Sequence, residues 1–204
     1  TQGAYSQAIE SYDRAIALAP NMTFLYIYAG ANYRQLAFSS PIKSQQEQLY
    51  ERSLEYFARA AAINEQLGLQ LPFPYLSIAR TYSQTGDYFA AALNIQKALD
   101  YRPADPDIYG QLGIVFRKSR NFEGSIMAFK CAIDGCNPEE SCLGRYGREC
   151  LAKYGEEGVW VEPLPLTPNT LVYYYSYASN LAALRRPQRR APAGKGRGAA
   201  RRCR

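Results

Sequence analysis

The 204-residue chain is long enough to bury a sizeable core, since 47% of its residues are apolar. It contains no histidine, so the sequence offers no Ser-His-Asp or Cys-His catalytic arrangement and no histidine-based metalloprotease motif. The net charge of +6 comes from residues 185–204, which hold nine of the 24 basic residues and no acidic one. The remaining chain carries 15 basic and 18 acidic residues. We therefore predict neither an enzyme nor a specific nucleic-acid-binding protein, and no cofactor.

The first predicted element is a helix within residues 3–20, "GAYSQAIESYDRAIALAP", and a very similar one lies within residues 86–103. Each helix carries a small residue at i, a larger one at i+4 and a small one at i+7, and residues with this spacing lie on one helix face. Each helix is followed by a proline, which ends it. Small residues at such positions let a neighbouring helix approach closely. The matched positions are Ala8, Tyr12 and Ala15 in the first helix, and Ala91, Ile95 and Ala98 in the second.

A second kind of helix precedes each of the later copies of this pattern. Its apolar residues follow the i, i+3, i+4, i+7 spacing of a buried stripe, and two copies lie 34 residues apart. The stripes are Tyr26, Ala29, Gly30 and Tyr33; then Tyr75, Ile78, Ala79 and Tyr82; then Tyr109, Leu112, Gly113 and Phe116. Each repeat is thus predicted to be a pair of helices, which we call its first and second helix.

The 34-residue spacing and these residues together resemble the tetratricopeptide repeat family. Further positions that carry the resemblance are Gly3, Tyr5, Pro20, Gly86, Pro103, Phe122, Ser125, Phe129 and Ala132. The resemblance covers about residues 1–155, as about four repeats. It implies an all-α fold, a right-handed superhelical solenoid of antiparallel helix pairs.

The second repeat departs from the pattern through an insertion near residues 36–48. Its second helix resumes with Ser53, Phe57 and Ala60. Either this helix is longer at its N-terminal end, or a loop broken at Pro41 precedes it.

The pattern becomes incomplete after Asn137. A helix containing Leu143, Tyr146, Gly147 and Cys150 starts a fifth unit, but residues 156–169 form a Pro/Gly-rich linker. Residues 170–184 form another first helix without a second one, and we expect an uncovered apolar face there. Its apolar stripe is Tyr174, Tyr177, Ala178 and Leu181. This helix also contains Tyr173 and Tyr175, and we expect those of its four tyrosines that face inward to serve core packing rather than the stacking of nucleic-acid bases.

Residues 185–204, rich in Arg, Ala, Gly and Pro, are predicted to be a disordered tail.

The family resemblance implies a binding groove lined by the exposed side of the first helices. Arginine and tyrosine side chains there suit a carboxylate or an extended peptide, although an ordinary solvated surface is the alternative. The predicted groove residues are Phe24, Tyr28, Arg34, Gln35, Ser77, Arg80, Gln84, Gln111, Arg117 and Lys118.

Four cysteines fall between residues 131 and 150, and their spacings differ from those of paired C-x-x-C zinc sites. We therefore predict no metal site and favour disulfides across a helical hairpin, with buried free thiols as the alternative. The expected pairs are Cys136 with Cys142 and Cys131 with Cys150. Disulfides would favour an extracytoplasmic or cell-envelope location over a cytoplasmic one.

These features predict a non-catalytic scaffold that binds a protein or peptide partner. The alternative, by analogy of fold, is the soluble accessory domain of a larger membrane-bound or secreted enzyme of envelope polysaccharide assembly. Because the chain starts within the repeat pattern, we expect a bacterial fragment that meets a membrane only through a missing part. No apolar run reaches the roughly 18 residues of a membrane span. The oligomeric state does not follow from the sequence.

Overall fold

The computed structural model describes residues 2–145 and 159–185. The predicted tail and the positions of Tyr146, Gly147 and Cys150 lie outside these residues. The described chain forms nine α-helices: α1 (Gln2–Leu18), α2 (Thr23–Ser39), α3 (Lys43–Gln66), α4 (Phe73–Thr85), α5 (Tyr88–Tyr101), α6 (Pro106–Lys118), α7 (Phe122–Asp134), α8 (Pro138–Arg145) and α9 (Leu171–Arg185).

The helices pack as consecutive pairs. Helices α2 and α3, α4 and α5, and α6 and α7 form the pairs, and α3 contacts α4 as α5 contacts α6. Helix α1 packs on α2, and α9 packs on α7 and α6. The predicted fold class is confirmed: the protein is an all-α solenoid of antiparallel helix pairs.

Two pairs close by the same contact, in which the ring of the second helix covers a glycine of the first. A Cβ atom placed on Gly30 would lie 2.7 Å from Cε1 of Phe57, and one on Gly113 would lie 2.7 Å from the Phe129 ring. The Ser53 hydroxyl also donates to the Gly30 carbonyl at 2.8 Å, and its counterpart in the later pair, Ser125, donates to the Gly113 carbonyl at 2.7 Å. The glycines are therefore contact points, and a larger residue there must displace the ring or separate the helices.

A tyrosine–proline contact explains two further positions of the repeat. The hydroxyl of Tyr26 donates to the carbonyl of Pro20 at 2.9 Å, and the hydroxyl of Tyr109 donates to the carbonyl of Pro103 at 3.1 Å. Each bond ties the start of a first helix to the connection before it. The buried tyrosines thereby keep a partner for their polar atom.

The insertion in the second repeat lengthens its helices. Helix α2 has 17 residues and α3 has 24, and only residues 40–42 separate them. Of the two alternatives that the sequence left open, the structure shows the longer second helix, with Pro41 in the short connection. No described helix is both long and apolar enough to cross a membrane.

The described part of the Pro/Gly-rich segment, residues 159–169, packs on the last complete pair. Val161 forms an antiparallel bridge with Cys136, and the amide of Leu164 donates to the Ala132 carbonyl at 2.9 Å. Val161 is buried in the main core cluster. This segment therefore carries the chain across α7 and positions α9.

Helix α9 presents one buried side and one open side. Tyr173, Ser176 and Asn180 are buried towards α6 and α7, and the Asn180 side chain donates to the Ser125 hydroxyl at 2.7 Å. The predicted stripe is less covered, because Ala178 is exposed and Leu181 is 38% exposed. Of the tyrosines, Tyr173 is buried, Tyr174 and Tyr177 are half-buried, and Tyr175 is exposed.

Candidate functional site

Two adjoining cavities follow the side of the solenoid formed by the first helices, and we call them together the groove. The first, of about 490 Å³, lies along α2, α4 and α6. The second, of about 390 Å³, lies along α4, α6 and α9. Arg80, Asp107 and Gln111 line both cavities, so the two form neighbouring parts of one surface.

Most of the predicted groove residues lie in this surface. The seven that line one cavity or both are Phe24, Tyr28, Ser77, Arg80, Gln84, Gln111 and Lys118. The helical phase was sufficient to place them because each first helix repeats the same orientation. Gln35 is exposed but lines neither cavity.

Arg34 is not a groove residue, contrary to the prediction. It is 94% buried by residue area, lies 5.5 Å over the centroid of the Phe57 ring, and donates through Nη1 to the Ser77 carbonyl at 3.2 Å. Burial, with a smaller effect of the nearby Arg80 cation, lowers the pKa of Arg34 to about 10. The bond to Ser77 links α2 to α4, so Arg34 joins two repeats.

Arg117 is also misassigned by the sequence prediction. It is half-buried, and its Nη1 lies 3.3 Å from the hydroxyl oxygen of Ser176 on α9. The arginine therefore holds α9 against α6. The sequence predicts only its phase on α6 and cannot show that α9 covers this position.

Asp107 is one of the groove residues that the sequence analysis missed. Its carboxylate accepts hydrogen bonds from the Tyr173 hydroxyl at 2.7 Å and from Nε2 of Gln111 at 2.8 Å. Asp107 lies in the first turn of α6, where the sequence pattern indicates only a favourable charge at a helix start. Its role depends on Tyr173, which is 66 residues away and arrives with α9.

The charges of the groove favour an anion. Arg80, Arg102 and Lys118 line it, and within the described residues none of them forms an ion pair. The two groove carboxylates are engaged otherwise, because Asp105 caps α6 by accepting from the Asp107 amide and Asp107 holds Tyr173 and Gln111. Both carboxylates keep their negative charge, so the three cations and two carboxylates give the groove a net charge of +1, and none of the cations is held in an ion pair within the described residues.

Apolar side chains form the other half of the first cavity. Phe24, Tyr28 and Phe73 line it and are each about half exposed, at 47%, 51% and 50%. An exposed aromatic cluster next to cations suits a ligand with both apolar and acidic groups.

One repeat of the chain matches a known sequence profile. The sequence profile of the tetratricopeptide repeat matches residues 74–105, which span α4 and α5. This part of the chain is therefore similar to a tetratricopeptide repeat. A search of curated proteins finds no matching relative.

One solved structure is similar to this chain in fold. A thermophilic tetratricopeptide repeat protein from Thermus thermophilus superposes with a TM-score of 0.61 at 16% identity, covering 88% of this chain and 74% of that one. The MamA protein gives a TM-score of 0.38 at 16% identity, covering 82% of this chain and 91% of that one.

A larger cavity of the repeat protein, about 610 Å³, lies at the extended ends of α2 and α3. Its lining includes Tyr33, Leu36, Arg52 and Glu55. Arg52 and Glu55 already pair with each other at 2.8 Å. Glu51 also lines this cavity, so its charged lining is net negative, and its one arginine is already paired. We place the candidate site in the groove, where the charged lining is net positive.

The cysteine pairing of the repeat protein differs from the prediction. The structure joins Cys131 to Cys136, with a Cα–Cα distance of 4.7 Å, so Cys136 is not available to Cys142. Gly135, at φ 74°, ends α7 and turns the chain so that Cys136 comes back beside Cys131. The predicted outer pair involves Cys150, outside the described residues. Within the described residues, no three or more potential metal ligands are grouped so that they could hold a metal ion.

The groove of the repeat protein gives a prediction for alkaline pH. Burial and the hydrogen bond to Asp107 raise the pKa of Tyr173 above its usual value. In the unfolded chain Tyr173 loses its proton near pH 10, whereas in the folded protein it keeps the proton to higher pH. Protonated Tyr173 therefore stabilises the folded state fully below about pH 10, and this contribution is lost progressively as the pH rises above 10. We expect the difference in unfolding free energy between wild type and Tyr173→Phe to narrow from about pH 9 to 11, as measured by urea denaturation. A difference that stays constant over this range would contradict the assignment.

Proposed function

We propose that this tetratricopeptide repeat protein is a non-catalytic scaffold whose groove binds an extended, acidic segment of a partner protein. The observation that carries the proposal is the position of Arg80, which lines both cavities and has no ion-pair partner within the described residues. An acidic side chain of the ligand would supply that partner through a charge-assisted hydrogen bond.

The shape of the groove favours an extended peptide. Together the two cavities follow three first helices, and the residues that line both of them lie where the cavities meet. Because the cavities are continuous at this point, one extended ligand can occupy both. Phe24, Tyr28 and Phe73 would receive apolar side chains at one end, and Lys118 would meet a second acidic group at the other. Lys118 is held towards the groove by its bond to the Ser83 hydroxyl at 2.9 Å.

The proposal is tested by binding of acidic peptides that contain aromatic residues, measured by fluorescence anisotropy. We expect Arg80→Ala to weaken binding about tenfold, a change of about 1.4 kcal/mol, and to reduce its sensitivity to salt. The matched control is Arg59→Ala, which removes an exposed arginine from α3 that lines neither cavity. It should bind as wild type does. Equal loss in both variants, or a preference for basic peptides, would contradict the proposal.

A further inference from the structure

The disulfide closes a short loop at the end of α7, and residues 159–169, which we call the crossing segment, are attached to that loop. The amide of Val161 donates to the carbonyl of Cys136 and the amide of Cys136 donates to the carbonyl of Val161, both at 3.0 Å. The amide of Leu164 donates to the carbonyl of Ala132, also within the loop. Within the described residues, these backbone-to-backbone bonds join the crossing segment to the preceding helices, and each of them ends on the disulfide loop.

The crossing segment leads directly into α9 and so helps to form the second cavity of the groove. At the start of α9 the amide of Thr167 donates to the Thr170 hydroxyl oxygen at 2.8 Å, and that hydroxyl donates to the carbonyl of Pro165 at 2.8 Å. These bonds fix the helix start to the segment before it. Helix α9 then contributes Val172 and Tyr173 to the lining of the second cavity. The position of the crossing segment therefore affects one wall of that cavity.

Both cysteines of the pair lie in the core, since Cys131 is 1% exposed and Cys136 is 6% exposed. Without the covalent bond the two thiols need van der Waals separation, and a densely packed core has little free volume for it. Cys131 is held within α7, whereas Cys136 follows the turn at Gly135 and lies outside any helix. Cys136 is therefore the residue that moves, and its two backbone bonds transmit the movement to Val161.

We infer that the disulfide is a redox-sensitive switch: the intact bond fixes the crossing segment and α9 against α7, and reduction loosens both and moves one wall of the second cavity. The loop that the bond closes is short, so the bond restricts the unfolded chain little and its loss acts locally rather than on the whole fold. The inference concerns the wall of the cavity and does not depend on the proposed peptide ligand.

The switching reaction is thiol–disulfide exchange with a dithiol reductant. One thiolate of the reductant attacks Sγ of Cys136 and forms a mixed disulfide, while Sγ of Cys131 leaves as a thiolate. The second thiolate of the reductant then attacks the reductant's own sulfur in the mixed disulfide and releases Cys136. Two electrons and two protons pass from the dithiol to the protein, which ends with two thiols, and the reductant ends as an internal disulfide.

The test compares amide hydrogen exchange in the full chain treated with oxidised glutathione and in the same protein reduced by dithiothreitol, measured by mass spectrometry of peptic fragments. We expect reduction to speed exchange in the crossing segment and α9 by about tenfold or more, and to leave exchange in α4 and α5 unchanged. Trp160, the single tryptophan, lies next to Val161, and its fluorescence anisotropy should fall on reduction. Thiol alkylation followed by mass analysis verifies the redox state of each cysteine.

The matched variant is Cys136→Ala, which cannot form the bond. We expect it to show fast exchange in the crossing segment and α9 without reductant, and no further response to dithiothreitol. The control Cys142→Ala removes a cysteine outside the pair and should respond to reduction as the wild type does.

Three results would overturn the inference: alkylation of Cys131 and Cys136 in the oxidised sample, unchanged exchange in α9 after verified reduction, or an equal increase in α4 and α5. The last result would identify a general stabilising bond rather than a local switch. Should Cys136→Ala fail to fold, the oxidised and reduced states of the wild-type chain still decide between these outcomes.

Discussion

Replacing Phe129 by alanine is expected to lower the free energy of unfolding by about 3 to 5 kcal/mol, the largest effect of a single substitution that we predict. The Phe129 ring is fully buried, covers Gly113, and lies 6.0 Å from the Tyr173 ring between centroids. Its removal therefore opens a cavity where the last complete pair meets α9. The neighbouring helices are held by their own contacts and cannot close the space completely.

The stability of Phe129→Ala is measured by urea denaturation, with the helix content monitored by far-ultraviolet circular dichroism. The matched control is Phe89→Ala on α5, because that ring is 77% exposed and its loss should change stability by less than about 0.5 kcal/mol. If Phe129→Ala costs no more than the control, the ring does not fill the core as described.

The second large effect is expected for Gly113→Leu, which should lower the free energy of unfolding by about 1 to 3 kcal/mol through overpacking. Even a Cβ atom at this position would lie 2.7 Å from the Phe129 ring, a distance that real contacts avoid. Either the ring must leave its position or the two helices must separate. Thermal denaturation of the variant measures the cost.

A double-mutant cycle makes this prediction specific. Removing the ring creates room for the leucine, so the double variant Gly113→Leu with Phe129→Ala should be less destabilised than the sum of the single variants. Gly3→Leu serves as the control, since nothing lies within 4 Å of a Cβ atom built on Gly3. It should leave stability unchanged or raise it slightly, because leucine favours a helix more than glycine does. Strict additivity in the cycle would show that the glycine and the ring do not meet.

The repeat pattern predicted the fold because its residues report local geometry. Ala91, Ile95 and Ala98 lie on one helix face wherever the helix is placed, and their small–large–small order matches the contact found between α4 and α5. The same reasoning predicts an incomplete repeat at α9, where Ala178 is exposed. Contacts within one pair involve neighbouring segments, so a single sequence specifies them well.

Prediction of the groove was limited by contacts between distant segments. Gln111 and Lys118, selected by their phase on α6, line a groove cavity, and their role in binding stays a prediction. Arg117 instead contacts Ser176. Asp107 was missed since its partner Tyr173 belongs to a helix that reaches α6 only after the chain has crossed α7. No periodicity in the sequence encodes that crossing.

The sequence by itself determined the helix pairs and the small–large–small contact faces of their second helices, since these follow from helical periodicity and side-chain size. The tertiary structure decided which charges face the groove, because burial converts Arg34 from a surface cation into a packing residue. It also decided that Cys131 pairs with Cys136, since the turn at Gly135 brings them together within one helix end rather than across a hairpin. Both features depend on the path of the backbone between helices. Single glycines and long-range packing determine that path, and the periodicity of a helix does not report it.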